Sequence, residues 1–169
     1  MTGHPAAGPG GGTVERIVGF LRTVGLPVEL APIDGTTVLP GVTVEAGLLL
    51  VDVERLRWPG DILHEAGHLA VVSTAERAGL GGRLDASAAD EMAAIAWSYA
   101  AAVELDLAAE VVFHDGGYRG SGPALAANFT AGRYVGVPVL QWLGLTADER
   151  RAAGLGVPPY PHMLRWLRD

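Results

Sequence analysis

The stretch that most limits how this chain can fold is Asp61-Ile62-Leu63-His64-Glu65-Ala66-Gly67-His68-Leu69-Ala70-Val71-Val72. Leu63, Ala66, Gly67, Ala70 and Val71 recur at helical spacing, which predicts a buried helix with a small, apolar packing face. Residues four apart on such a helix project about 40° from one another, so His64 and His68 stand side by side. Two neutral imidazoles on one face can share a metal ion at about 2.0–2.1 Å each. Glu65 lies roughly 60° further round the helix. That is poorly placed for a ligand to the same ion, but within reach of a water on it. Gly67 costs about 1 kcal/mol against alanine in a helix, a sacrifice that makes sense where another element must come close beside His68. The competing reading is a packed helix with two internally satisfied histidines.

Cysteine is absent from the 169 residues, so any metal must be held by histidines and carboxylates. Zn²⁺ is the ion this ligand set leads us to expect. The net charge is −7, which argues against a nucleic-acid surface; all 12 basic residues are arginine. The apolar run from Met92 to Val103 is too short to span a bilayer and continues into Glu104 and Asp106, so no membrane partner is expected. Met1 to Gly12 reads as a disordered Gly/Pro-rich tail without signal-peptide features, and His4 as a tail residue. The expectation is one domain over residues 13–169, in the cytoplasm.

Val14, Ile17, Val18, Leu21 and Val24 predict a first helix, with Thr13 as a possible cap and Gly25 and Pro27 ending it. Val28 to Ile33 reads as a strand, Asp34-Gly35 as a tight turn and Thr36 to Leu39 as the partner strand. Val42 to Glu45 alternates in the half-buried manner, and Leu48 to Val51 is a short apolar strand. The fold class is therefore α+β. A small, mostly antiparallel sheet packs with the His64–His68 helix and with a second long helix from about Ala88 to Leu107. Ser87 and Asp90 open that second helix in the capping-box style. Asp61 reads as a favourable first-turn charge on its own helix.

A catalytic zinc usually keeps three protein ligands and one open position. Glu91 is the best candidate for the third, since it sits in the first turn of the second helix on a face continued by Ala94, Ile95 and Ser98. Asp90 and His114 are rivals, and Glu104 projects to the opposite side. Glu91 as a mere first-turn charge is the plainer alternative.

The order of helix, small sheet, Leu48 to Asp52, the Pro59-Gly60 loop, Leu63-His64-Glu65-Ala66-Gly67-His68-Leu69 and a helix opening with Glu91 resembles a compact gluzincin, the minimal zinc-metallopeptidase core. It is similar to the ImmA/IrrE-type metallopeptidase family over roughly Thr13 to Asp106. That resemblance implies His64, His68 and Glu91 as zinc ligands and Glu65 as general base. It also implies an extended peptide adding to an exposed strand such as Leu48 to Val51. One departure stands out: where thermolysin-type gluzincins carry an Asp four residues after the ligand Glu, this chain has Ile95. A partner that orients a ligand must come from elsewhere, with Ser98 as one option.

Residues 107–169 lie beyond that core and form a helical extension. His114-Asp115-Gly116-Gly117-Tyr118-Arg119-Gly120 reads as an active-site loop, with His114 and Tyr118 as candidates to stabilise an oxyanion. A surface turn is the simpler reading of the same residues. Pro123 to Thr130 and Val137 to Leu143 predict short helices, and Trp142, Tyr160 and Trp166 are expected to pack a C-terminal layer. The resulting expectation is a zinc-dependent hydrolase, a metallopeptidase acting on a peptide or protein substrate. The alternatives are a non-catalytic metal-containing binding or sensing domain, and a hydrolase of non-peptide amides or esters.

Overall fold

Helix α1 (Gly11–Val24) buries Val14, Ile17, Val18 and Leu21 along one face and stops at Gly25, whose φ is 98°. The computed structural model describes residues 11–81 and 86–169, so this helix starts before Thr13. The rest of the expected tail, with His4, lies outside the described residues, as do residues 82–85.

Strands β1 (Val28–Leu30), β2 (Val42–Glu45) and β3 (Leu48–Val51) form a sheet in the order β1-β3-β2. β2 and β3 are an antiparallel hairpin, with Val42 opposite Val51 and Glu45 opposite Leu48. Ala46 and Gly47 turn it with φ of 48° and 79°, the left-handed pair that matches strand twist in a two-residue loop. β1 runs parallel to β3, with Val28 opposite Leu49. The α+β class and small sheet hold, with one antiparallel and one parallel pairing.

Two expectations are corrected here. The Asp34-Gly35 hairpin does not form: β1 ends at Leu30, and residues 36–39 contribute only a bridge from Leu39 to Val42. Side chains have taken the backbone groups that pairing would need. The Ile33 amide donates to Asp52 Oδ2 at 3.1 Å, Arg55 donates to the Ile33 carbonyl, and its Nη2 donates to the Gly35 carbonyl at 2.6 Å. Leu48–Val51 is likewise no docking edge, because it is the central strand with hydrogen-bonded partners on both sides.

Helix α2 (Gly60–Val71) buries every residue except His64 and Glu65. Ile62, Leu63 and Leu69 are fully enclosed, each worth about 1.5–3 kcal/mol, so its apolar faces hold the helix whatever its polar face does. Helix α3 (Thr74–Arg77) follows, then α4 (Ala88–Glu104). The capping box at the start of α4 is present: Asp90 N donates to Ser87 Oγ at 3.1 Å and Ser87 N to Asp90 Oδ2 at 3.2 Å. Buried Ala94 leaves α4 narrow where Gly67 of α2 lies on it. Gly67 completes the fit, since a Cβ there would stand 2.8 Å from the Ala94 carbonyl oxygen.

The extension comprises α5 (Ala109–Val112), a 3-10 turn (Tyr118–Gly120), α6 (Gly122–Thr130), α7 (Val137–Trp142) and α8 (Glu149–Leu155). It shares one hydrophobic cluster with α1, the sheet, α2 and α4. Tyr160 Oη donates to the Ala96 carbonyl, and Trp97 Nε1 to that of Trp166, both at 2.8 Å. Tyr160 is buried and Trp166 meets Phe20 edge-on at 4.9 Å. Trp142, expected in the packing, is 80% exposed. α7 buries Val137 and Leu140, and a residue two positions past Leu140 points about 200° away from it. Among the described residues no helix is long and apolar enough to cross a membrane.

Candidate metal centre

α2 and α4 bring His64, His68 and Glu91 together; each offers a ligand atom, and these lie within 4.8 Å of one another. His64 Nε2 and His68 Nε2 are 3.2 Å apart. The Glu91 carboxylate straddles them, with Oε1 3.5 Å from His64 Nε2 and Oε2 3.1 Å from His68 Nε2. A tetrahedral ion held at about 2.0–2.1 Å sets neighbouring ligand atoms about 3.3–3.4 Å apart. The separations observed are of that size, with one carboxylate oxygen turned to each ring, and the donor set of two imidazoles and one carboxylate suits zinc. These residues fit the ion.

The electrostatics suit it too. Burial, helped by the neighbouring His68, lowers the His64 pKa to about 4, so the ring is neutral near pH 7, as ligation requires. The hydrogen bond from His68 holds the Glu91 carboxyl below its usual range. Glu65 is pushed the other way: burial raises its pKa, and the nearby Glu91 and Asp61 add to the rise against His68.

Both rival third ligands are engaged elsewhere. Asp90 is spent on the Ser87 cap. His114 Nε2 lies 2.8 Å from Asp61 Oδ1, with both residues buried, and its ring stacks on Trp58 at 4.3 Å between centroids. Asp61, expected as a first-turn charge on its helix, is also the buried partner of a histidine 53 residues away. Burial raises its pKa, while His114 opposes the rise. Asp61 Oδ2 and His114 Nδ1 are buried and have no hydrogen-bond partner among the described residues.

No protein-family model, curated protein or solved structure matches this chain. The gluzincin resemblance therefore rests on its motif and on the order of its elements.

Tyr118 does reach the cluster. Its hydroxyl is 3.2 Å from His64 Nδ1, and the rings meet edge-on at 5.5 Å. When Nδ1–H donates to that hydroxyl, Nε2 is left bare and faces His68 and Glu91, the tautomer a metal needs. Burial raises the Tyr118 pKa, so the phenol stays protonated, and Ser98 beside it weakly opposes the rise. Ser98 itself donates to the Ile95 carbonyl at 2.9 Å. Tyr118 and Arg119 both have φ of 54°, a left-handed conformation costing about 1–2 kcal/mol for each such residue.

The sequence reading missed the Asp61–His114–Trp58 unit. One signal was available: Asp61 stands three residues before His64, on the same helical face. Trp58 carries no such pattern.

Proposed function

We propose that this chain is a Zn²⁺-dependent hydrolase that cleaves peptide bonds, in a cytoplasmic setting. The observation that carries the reading is the convergence of His64 Nε2, His68 Nε2 and the Glu91 carboxylate at 3.1–3.5 Å, with Glu65 adjacent on the same helix. Zn²⁺ bound there would make water more acidic and polarise a carbonyl. His64 and His68 would hold it as neutral imidazoles and Glu91 as a carboxylate. Glu65 accepts a proton from the attacking water at its carboxylate and returns it to the leaving amine. Burial raises its proton affinity, which suits a group that must take up a proton.

Tyr118 keeps His64 in the ligating tautomer. His114 acts as a positioning residue, fixing the first turn of α2 through Asp61. A non-catalytic centre would call for a fourth protein ligand, and among the described residues the cluster comprises three. That favours an open position and turnover. The preference for a peptide over another amide or an ester follows from the family resemblance.

The test is Glu65→Gln. It should keep one zinc per chain while losing at least about 100-fold in turnover of a peptide library. Full activity in that variant would overturn the assignment.

A further inference from the structure

We propose that Arg119 is a specificity residue of the cleft beside the metal centre, receiving a carboxylate group of the substrate. This deepens the zinc-hydrolase reading and rests on it.

A cleft of about 590 Å³ is lined by Glu91, Ile95, Tyr118, Arg119 and Leu125, among others. Glu91 belongs to the His64–His68 cluster and Tyr118 touches His64, so this cleft borders the centre. Ile95 and Leu125 make its walls apolar, and among the described residues Arg119 is the cationic one that lines it. Among the described residues the Arg119 guanidinium has no hydrogen-bond or ion-pair partner. Arg22, Arg55 and Arg77, by contrast, donate to the carbonyls of Val28, Gly35 and Leu69.

The backbone adds an independent observation. Tyr118 and Arg119 are consecutive non-glycine residues at φ 54°, in a loop that also has Gly116, Gly117 and Gly120. Strain of this kind persists where the surroundings over-determine it, and it concentrates at ligand sites. Tyr118 makes its contact with His64 from this segment, and Arg119 lines the cleft beside it.

Charge decides what that ligand carries. Glu65, Glu91 and Asp61 surround the centre, and the chain's net charge is −7. Among the described residues lining the cleft, Arg119 is the side chain that can pair with a substrate carboxylate away from the ion. The planar guanidinium can grip it through two parallel hydrogen bonds. That carboxylate is either the free end of a peptide or an acidic side chain.

The experiment is calorimetric titration of zinc-loaded protein with three thiol probes. They are mercaptoacetyl-leucine, with a free terminal carboxylate; mercaptoacetyl-leucine amide, with none; and mercaptoacetyl-glutamate amide, with one only on the side chain. At least one carboxylate probe should bind about tenfold more tightly than the leucine amide, as a charge-assisted pair implies. Arg119→Gly removes the cation while relaxing the backbone. It should abolish that preference and leave the leucine amide binding as before. Preference for the leucine acid identifies a chain end; preference for the glutamate amide identifies an acidic side chain. Equal binding of all three by the unmodified protein overturns the role of Arg119 and leaves the zinc centre standing. A preference that survives Arg119→Gly does the same. Absence of zinc-dependent binding by every probe overturns both.

Discussion

The hydroxyl of Tyr118 stands 3.2 Å from Nδ1 of His64, tying a left-handed loop of the C-terminal third to the first candidate ligand. The centre is therefore not confined to the two helices that carry its ligands. Tyr118→Phe should keep the ring contact with Phe113, at 5.5 Å between centroids, and lose only the hydroxyl. Zinc affinity should fall about 10- to 100-fold with little change in Tm. Competition against a chromophoric chelator measures it, and unchanged affinity would remove Tyr118 as the partner that orients His64.

Gly67 sets how closely α2 lies on α4, and so whether Glu91 reaches the histidines. A Cβ at this position would meet backbone, 2.8 Å from the Ala94 oxygen and 3.1 Å from its Cα. Gly67→Ala should cost about 1–3 kcal/mol through overpacking, outweighing the better helix propensity of alanine. Urea unfolding reads the loss, and zinc titration should show weakened binding. Stability equal to or above the parent protein would mean the helices can part freely.

His114→Ala leaves the Asp61 carboxylate buried without its partner. Breaking a buried pair in this way costs about 3–5 kcal/mol. The same change made on an Asp61→Asn background should cost clearly less, since no buried charge is stranded. A double-mutant cycle by urea unfolding measures the coupling; additive effects would show that the two side chains do not act together.

Asp52 gives the fold an acid-sensitive component. Its carboxylate accepts from the amides of Ile33, Glu54 and Arg55 at 3.1–3.3 Å. The Ile33 amide leads in holding its pKa below the usual 3.8. A depressed folded pKa contributes stability that is present above 3.8 and lost as pH falls through the lower folded value. Asp52→Asn should flatten the acid limb of a stability–pH curve below about pH 4 and leave its shape unchanged at neutral pH. An identical acid limb in the variant would contradict this.

What the sequence made legible was local. His64, Glu65 and His68 depend on helical spacing, and the Ser87–Asp90 cap on a four-residue pattern, so both could be read from neighbours along the chain. Glu91 followed from them because it falls in the first turn of a helix that packs on α2. The Asp34-Gly35 hairpin failed for a nonlocal reason. Asp52 and Arg55, some twenty residues on, capture the backbone groups of Ile33 and Gly35 that a strand would have paired. Asp61 was hidden in the same way, because its partner His114 arrives from beyond α5. Tyr118 was visible as a loop aromatic near the site, but its contact with His64 depends on two left-handed residues that no periodicity signals.

The first measurement to make is the metal content of protein purified without a histidine tag or added metal, alongside His64→Ala and Glu91→Ala. A centre built on His64, His68 and Glu91 predicts one zinc per chain, lost in both variants. Protein that takes up no stoichiometric zinc even when the ion is offered back, or variants that both retain it, would contradict that centre and the hydrolase reading with it.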